Sequence, residues 1–290
     1  MSRAKGQRKA LVFYKMHALG NDFMVIDAVT QSVELEAAQI ARWGDRQTGV
    51  GFDQLLMIQP PTVNDADFRY RIYNADGSSA QQCGNGTRAV ALLVRHLQLS
   101  KKQALHWQSD AGMLRTVYTS PQQIETTMTV PVLELQDIPF SAHEAVPVEA
   151  QPQTFRLAAG DEQYTLTPLS MGNPHGVIFV DNIFETDVDG IGASLTRHPA
   201  FPEGANIGFC QIVDRQFMRL RVFERGVGET LACGSGACAA LVAARLHDKM
   251  DAKVKVSLPG GKLRISWPAP ASPVTMSGAA TLVFKGELQY

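Results

Sequence analysis

A long internal duplication limits the architectures open to this chain. Two segments 150 residues apart align without a gap, FRYRIYNADGSSAQQCGNGTRAVALLVRHL over MRLRVFERGVGETLACGSGACAALVAARLH. Both contain the turn Cys-Gly-x-Gly, which begins at Cys83 in the first copy and at Cys233 in the second. Repeats of this length are typical of two homologous domains rather than of a short-period solenoid.

Each copy changes from strand periodicity to helix periodicity at its cysteine. Apolar and polar residues alternate over residues 68–72 and 218–222, which indicates half-buried strands of the same phase. After the cysteines the apolar positions follow a helical period, at Val90, Leu93, Val94 and Leu97 and at Leu241, Val242 and Leu246. Each copy is therefore predicted to be a strand, a loop, the glycine-rich turn and a helix.

The remainder of each half is rich in strand patterns. The blocks GNDF and GNPH form a second matching pair, and KVKVSLPGGKLRISW predicts a hairpin that turns at Pro259 to Gly261. The last strand pattern, ATLVFKGELQ, is able to pair with either half. Residues 135–153 carry three prolines and little periodicity, so we expect a loop-like linker there.

These patterns predict an α+β protein of two similar domains. We expect residues 1–130 plus 279–290 to form the N-terminal domain and residues 131–278 to form the C-terminal domain. Pseudo-twofold packing of such domains would direct both helix N-termini, and both sulfur atoms, into one interdomain cleft.

Composition argues against several classes of function. The chain has 290 residues, 45% of them apolar and 19% charged, and a formal net charge of −1, so no basic field favours nucleic acid. No segment approaches the roughly 18 consecutive apolar residues of a membrane helix. The basic start is followed by an apolar run that Lys15 and His17 interrupt, so we expect no signal peptide. We expect a cytoplasmic protein.

The four cysteines divide into two classes. Cys210 and Cys238 lie in apolar surroundings and are predicted to be small buried core residues. Cys233 and Cys238 are five positions apart, which is not a Cys-x-x-Cys spacing, and no metal site is predicted. Cys83 and Cys233 instead precede predicted helices, where a thiolate is stabilised and its pKa can fall below about 8.5.

Two such thiols suit the inversion of a carbon acid. One thiolate removes a proton from a stereocentre, and the opposing thiol returns a proton to the other face. The helix N-termini would hold the substrate carboxylate and stabilise the negative charge that develops on it. No lysine occupies a comparable glycine-rich turn, so we expect no pyridoxal cofactor.

Six blocks in this order resemble the signature of the diaminopimelate epimerase family: KMHALGNDF, DRQTGVGFDQLL, RIYNADGSSAQQCGNGTR, MGNPHGV, FPEGANIGF and RVFERGVGETLACGSGACA. The resemblance implies two pseudo-symmetric domains, each with strands wrapped around a central helix, and an active site in the interdomain cleft. It implies a homodimeric isomerase, independent of cofactor and metal, that acts on a small molecule. The reaction would interconvert LL-2,6-diaminopimelate and meso-2,6-diaminopimelate for lysine and peptidoglycan synthesis.

The resemblance also implies roles for individual residues. Cys83 and Cys233 would be the catalytic proton-transfer pair. The reacting carboxylate would bind backbone N–H groups at Gly84, Asn85, Gly234 and Ser235. Neutral hydrogen bonds to the substrate would come from Asn21, Gln54, Asn74, Asn173 and Asn206. Glu224 and Arg225 would meet its charged groups, and His175 with Glu224 would modulate the pKa of the thiols.

The sequence departs from the family pattern at four positions. Ser79 stands where many members carry an acidic residue, and Gly176 stands where a larger residue is usual. Gly204 occupies a position that arginine often holds. Phe284 stands where many members have a tyrosine at the dimer contact, which puts the usual dimer in question.

Other functions fit parts of the pattern. A proline or hydroxyproline epimerase also uses two cysteines, although the asparagine-rich blocks and Arg225 favour a longer, doubly zwitterionic substrate. A related isomerase without the cysteine pair is excluded by Cys83 and Cys233. A non-catalytic anion-binding module gives the sulfur atoms no task, and a cysteine hydrolase needs only one of them together with a histidine base.

Overall fold

The computed structural model describes residues 10–80, 83–110, 112–149 and 151–289. They form two compact units, of which the first contains residues 10–18, 22–124 and 279–289 and the second contains residues 19–21 and 125–278. Both units combine many strands with α-helices, so the predicted α+β class is confirmed.

The first unit alternates groups of strands with two helices. Its elements are β1 (Ala10–Ala18), β2 (Asn21–Asp27), α1 (Ala37–Gly44), β3 (Gln54–Gln59), β4 (Phe68–Asn74), β5 (Ser79–Ala80), α2 (Gly84–His96), β6 (Ala104–Ser109), β7 (Gly112–Ser120) and β8 (Gln123–Thr127). The last residues of β8 are grouped with the second unit, as is the first residue of β2.

The second unit repeats this order after two 3-10 turns, Leu135–Asp137 and Ala142–Glu144, and two extra strands. Its elements are β9 (Val146–Pro147), β10 (Phe155–Ala159), β11 (Glu162–Ser170), β12 (Pro174–Phe179), α3 (Val188–Leu195), β13 (Asn206–Asp214), β14 (Phe217–Glu224), β15 (Gly228–Thr230), α4 (Gly234–Leu246), β16 (Lys253–Leu258), β17 (Gly261–Ser266) and β18 (Thr275–Gly278). Elements β11 to β18 thus correspond in order to β1 to β8.

Strand pairing is also shared by the two units. Strands β2 and β3 run parallel with Phe23 opposite Gln54, and β12 and β13 run parallel with His175 opposite Asn206. Next to them β3 pairs antiparallel with β4, and β13 with β14. The strand β4 leads to α2 as β14 leads to α4, so the predicted strand, turn and helix of each copy are confirmed.

The end of the chain closes the first unit. The last strand, β19 (Thr281–Gln289), runs antiparallel to β1, with Leu11 opposite Leu288 and His17 opposite Thr281. The alternating pattern of this strand fits any sheet edge, and the prediction assigns residues 279–290 to the N-terminal domain. The hairpin predicted around Gly260 is confirmed, since β16 and β17 pair antiparallel on either side of it.

The segment predicted to be a linker is part of the second unit. Residues 135–153 carry the two 3-10 turns and β9, which pairs with β10. The side chains of Ile138 and Phe140 are buried in a core cluster of this unit. Three prolines break the periodicity, but apolar side chains between them still join this core, so the described residues of the segment fold onto the second unit.

Helices α2 and α4 are enclosed by strands rather than packed on one face. Ten residues of each helix are buried, among them every residue from Ala89 to Val94 and from Ala237 to Ala244. The sequence pattern predicted one apolar face, whereas a helix buried on nearly all sides needs small or apolar residues all round. The alanines of α4 meet that need.

Each central helix lies in its own core. Around α2 the cluster includes Phe23, Tyr70 and Trp107, and around α4 it includes Met218 and Trp267, all almost fully buried. The predicted burial of Cys210 and Cys238 is confirmed, since both are 0% exposed. Among the described residues, no helix combines the length and the apolar character that crossing a membrane requires.

A close backbone approach at Gly260 provides a test of the fold. A Cβ atom at this position would lie 1.9 Å from the carbonyl oxygen of Leu19 and 3.0 Å from that of Leu231. Since a backbone oxygen has little freedom to move away, we expect Gly260→Ala to lower the free energy of unfolding by about 3 kcal/mol. Urea denaturation followed by circular dichroism measures this change.

The matched control is Gly160→Asn in the turn between β10 and β11. A Cβ atom there meets no described atom within 4 Å, and asparagine tolerates its φ of +64°. We expect a change of less than about 1 kcal/mol. Equal effects of the two substitutions would contradict the steric explanation.

Candidate active site

The turn at Cys83 joins the β4–β5 hairpin to the central helix of the first unit. Cys83 is the N-cap of α2 in an extended conformation, and its Sγ accepts a hydrogen bond from the Gly86 N–H at 3.2 Å. Tyr70 anchors the turn, because its hydroxyl donates a hydrogen bond to the Cys83 carbonyl oxygen at 3.0 Å. A Cβ atom at Gly86 would lie 3.2 Å from a Leu56 methyl group, so glycine allows this close packing.

The turn at Cys233 has the same place in the second unit. Cys233 is the extended N-cap of α4, its Sγ lies 3.6 Å from the Ser235 hydroxyl, and it is only 4% exposed. A Cβ atom at Gly236 would lie 3.0 Å from a Val222 methyl group and 3.2 Å from the Cys233 Sγ. Both predicted Cys-Gly-x-Gly turns therefore put a reduced cysteine at the start of a buried helix.

The environment of Cys233 favours the protonated thiol. Burial raises the pKa of Cys233 most, the negative charge of Glu224 raises it further, and hydrogen bonds from Ser235 and Gly236 lower it less. The net shift is well above the usual value, opposite to the direction expected from a helix N-terminus alone. At neutral pH this cysteine is therefore a neutral thiol.

Glu224 and Arg225 lie where β14 ends and turns toward β15. The Thr230 hydroxyl donates to a Glu224 carboxylate oxygen at 2.5 Å and so holds the carboxylate that acts on Cys233. The Arg225 backbone N–H donates to the Asn206 side-chain oxygen at 2.8 Å. Sequence reasoning missed Thr230, because a threonine after glutamate in a short hairpin carries no distinct signal.

Two of the family departures have a packing explanation. A Cβ atom at Gly204 would lie 2.9 Å from the Cδ of Arg225, so the arginine stem fills the space beside this glycine. At Gly176 it would lie 3.1 to 3.3 Å from side chains of Leu166, Ile207 and Phe201. Larger residues at either position would displace the neighbours of the candidate site.

His175 is a neutral, fully buried partner of Asn173. Its Nε2 lies 3.1 Å from the Asn173 side-chain oxygen, and parallel pairing of β12 with β13 places His175 opposite Asn206. Burial, and then the positive charge of Arg225, lower the pKa of His175 to about 3. The imidazole is therefore uncharged at neutral pH and supplies no positive charge to a thiolate.

Gln54 and Asn74 are brought together in the first unit. They are opposite each other on β3 and β4, and the Gln54 side-chain nitrogen donates to the Asn74 side-chain oxygen at 3.3 Å. The Gln54 side-chain oxygen is buried and has no hydrogen-bond partner among the described residues. A buried acceptor of this kind is suited to receive an N–H group of a ligand. Asn21, at the start of β2, is grouped with the second unit.

A charged network beside Gln54 was not anticipated from the sequence. Arg46 donates to Asp22 and Asp53 at 2.7 Å each, and the Nζ of Lys15 bonds Asp22 and the Gly51 carbonyl oxygen. Asp22 follows Asn21 and Asp53 precedes Gln54, so the network fixes the ends of two strands that carry predicted site residues. The signal was present as two acidic residues beside the polar blocks, but their pairing depends on the parallel register of β2 and β3.

The network changes the ionisation of Asp22. Burial by itself would raise the pKa of this carboxyl, but hydrogen bonds and charges from Arg46 and Lys15 lower it to about 2.

Within the described parts of the chain, no three His, Cys, Asp or Glu side chains form a cluster that could hold a metal ion.

Comparison with known proteins identifies relatives over nearly the whole chain. A model of the family described as Diaminopimelate epimerase matches residues 13–133 and 167–283. The diaminopimelate epimerase of Ectopseudomonas mendocina is 45% identical over 279 residues, which cover 96% of this chain and 99% of the relative. That of Azotobacter vinelandii is 46% identical with the same coverage of both chains.

Solved structures share the fold at low identity. A hydroxyproline epimerase from Agrobacterium vitis, with bound trans-4-hydroxy-L-proline, superposes with a TM-score of 0.69 at 12% identity, covering 99% of this chain and 94% of that one. A phenazine biosynthesis protein of the PhzF family from Bacillus anthracis gives 0.66 at 16% identity, covering 97% and 100%. These likenesses support the fold alone.

The network at Asp22 generates a pH-dependent prediction. We expect Asp22→Asn to lower the free energy of unfolding near neutral pH by about 2 kcal/mol, because Arg46 and Lys15 lose a shared partner. The pKa of Asp22 in the folded state lies below its usual value of 3.8. The ionised carboxylate therefore stabilises the fold fully when the pH is above 3.8. This contribution is lost as the pH falls toward 2, and the difference from the unaltered protein should shrink.

Urea denaturation at about pH 7, 5 and 3 measures the difference. The control is Asp248→Asn, which removes a carboxylate that forms an ion pair with Arg215. The side chain of Asp248 is 92% exposed. We expect it to change stability by less than about 1 kcal/mol at every pH. A constant effect of Asp22→Asn across the pH range would refute the role given to its ionisation.

Proposed function

The chain belongs to the diaminopimelate epimerase family, and we propose that it interconverts LL-2,6-diaminopimelate and meso-2,6-diaminopimelate without a cofactor. The observation that carries this function is the family match over both halves of the chain, with relatives of that name at 45% and 46% identity. The protein is therefore an isomerase, and its product serves lysine and peptidoglycan synthesis.

Cys83 and Cys233 are the proposed acid and base. One sulfur takes the proton from the α-carbon as a thiolate, and the electron pair of the broken C–H bond delocalises into the adjacent carboxylate. The pair returns to the carbon as the other sulfur gives its proton to the opposite face. The two groups exchange roles in the reverse direction. In support, each is the N-cap of a buried helix, and the environment of Cys233 keeps it protonated at neutral pH.

The helix N-termini are the proposed anion sites. The backbone N–H groups of the first turn of a helix have no intrahelical acceptors, and the helix dipole makes this end positive. We assign the reacting carboxylate to N–H groups of Gly84 and Asn85 in one turn and of Gly234 and Ser235 in the other. They also stabilise the charge that moves onto the carboxylate as the proton leaves.

The remaining polar residues are assigned to binding and to the thiols. We assign Asn21, Gln54, Asn74, Asn173 and Asn206 to the ammonium and carboxylate groups of the substrate. Arg225 is assigned to a carboxylate, because its guanidinium can bind both oxygens. Glu224 and His175 are assigned to modulating the pKa of the thiols. Because His175 is neutral, it would act through hydrogen bonds rather than through charge.

A proline or hydroxyproline epimerase remains the second candidate. The specific observation behind it is the shared fold with the hydroxyproline epimerase of Agrobacterium vitis, at 12% identity. An amino acid with ionic groups at both ends needs many polar contacts, and the asparagine and glutamine side chains assigned to substrate binding favour diaminopimelate. The two substrates are therefore compared directly below.

Incubation in heavy water tests reaction and substrate together. Purified, reduced protein with LL-diaminopimelate in deuterium oxide should form the meso isomer with one deuterium at the inverted α-carbon, because the donating thiol exchanges with solvent. Chiral chromatography with mass spectrometry measures both features. Turnover of trans-4-hydroxy-L-proline in place of diaminopimelate would transfer the assignment to the second candidate.

Single cysteine substitutions test the mechanism. Cys83→Ala and Cys233→Ala should each lower kcat by at least about a hundredfold, because each removes a proton-transfer group. The control is Cys210→Ala, which alters a buried cysteine outside both turns and should retain activity. Substantial turnover by either turn variant would rule out the two-cysteine mechanism.

We further propose that the enzyme is a cytoplasmic homodimer and that its two units are the two domains of the family. Support for the dimer comes from β19, which exposes Val283 by 54% and Phe284 by 47% beside the Phe13 ring. Phenylalanine keeps the apolar contact area of the usual tyrosine and lacks only its hydroxyl group.

The dimer is tested by Phe284→Glu. A charge placed in the contact should weaken association at least tenfold, roughly the effect of losing one central residue of an interface. Sedimentation velocity over a range of protein concentrations measures the dissociation constant. Phe184→Glu is the control, since Phe184 is 76% exposed elsewhere on the chain. Equal association by the unaltered protein and Phe284→Glu would contradict this contact.

A further inference from the structure

The guanidinium of Arg88 is buried directly behind the Cys83 turn. Arg88 is 0% exposed and lies on the second turn of α2. Its Nη2 donates to the Asn85 side-chain oxygen at 2.8 Å, and its Nη1 donates to the Gly84 carbonyl oxygen at 3.3 Å. Its Nε donates to the Ala279 carbonyl oxygen at 3.4 Å, just before β19.

This placement opposes two ordinary electrostatic preferences. Moving a charged group out of water is unfavourable, even when hydrogen bonds compensate in part. A positive charge near a helix N-terminus is also unfavourable, because that end of the helix is already positive. Both costs fall when an anion binds at the turn, so the charge of Arg88 favours anion binding there.

The second unit shows that the turn folds without such a cation. The position equivalent to Arg88 by the 150-residue offset is Cys238, which is 0% exposed and lies in the apolar core around α4. The position equivalent to Asn85 is Ser235. Since both turns have the same backbone arrangement at a helix start, Arg88 serves a purpose particular to the first turn.

We propose that Arg88 is a positioning residue for the substrate carboxylate at the first turn. It acts through Asn85 and Gly84, which it holds from behind by hydrogen bonds, and its charge strengthens the attraction of the turn for the carboxylate. The planar guanidinium donates hydrogen bonds to both acceptors at the same time. A lysine ammonium cannot form both bonds in the same geometry. This inference rests on the proposed function.

Three substitutions separate the contributions. Arg88→Met keeps an unbranched stem of similar length and removes both charge and donors, whereas Arg88→Lys keeps the charge and removes the fork. The control is Arg95→Met, which removes the same side chain from the last turn of the same helix. Arg95 donates to Ser100 rather than to the Cys83 turn.

Initial rates with LL-diaminopimelate give KM and kcat for each protein. We expect Arg88→Met to raise KM about tenfold with a smaller fall in kcat, the loss of roughly one charge-assisted hydrogen bond. Arg88→Lys should raise KM about threefold, and Arg95→Met should leave KM unchanged. A rise in KM while the melting temperature stays close to that of the unaltered protein indicates a positioning role. A rise in KM that is accompanied by a large fall in melting temperature indicates a structural role.

Asn85→Ala combined with Arg88→Met tests the route of the effect. If Arg88 acts through Asn85, the double variant should have a KM close to that of the more affected single variant. A KM effect equal to the product of the two single effects would overturn this route. Arg88→Lys retains the buried charge, so it tests the inference if Arg88→Met fails to fold.

The unaltered protein is assayed first. Absence of epimerisation by it would overturn the proposed function. Normal turnover together with an unchanged KM in Arg88→Met, or in Arg88→Lys where only that variant folds, would overturn the role of Arg88 alone.

Discussion

The structure depends on enclosing a helix in strands while the polar groups at its N-terminus still find partners. The N–H groups at such a terminus lack intrahelical acceptors, and burial makes each one left without a partner costly. In the first unit, the Cys83 sulfur receives the N–H of Gly86. Neighbouring side chains approach so closely that glycine fits at Gly86 and Gly236. Glycine at these two positions is therefore a consequence of the enclosed helix.

The two turns share a backbone arrangement but not an electrostatic environment. Behind the first lies the buried cation Arg88, and beside the second lies the carboxylate of Glu224, which Thr230 holds in place. Burial together with that carboxylate raises the pKa of Cys233. The proposed proton-transfer pair would need one acid and one base at any moment, and the two turns supply unequal electrostatic environments on matching backbones.

Most elements around the turns were predictable, because strand and helix periods are local properties of the chain. The strand before each cysteine, the helix after it and the hairpin at Gly260 all follow from periodicity and turn residues. Residues 135–153 were misread as a linker, since periodicity does not show that Ile138 and Phe140 reach a core. The partners of Asp22 and Arg88 were missed because their contacts depend on strand register and on the path of the chain end.

The order of residues is sufficient to establish the duplication, the paired cysteine turns and the resemblance to a family of epimerases, because each is a pattern along the chain. Folding adds what no linear pattern contains: the burial that keeps His175 neutral and Cys233 protonated, and the hydrogen bonds that tie Arg88 to Asn85. Ionisation and orientation depend on neighbours distant in sequence and on the exclusion of water. They therefore arise only when the strands close around each helix.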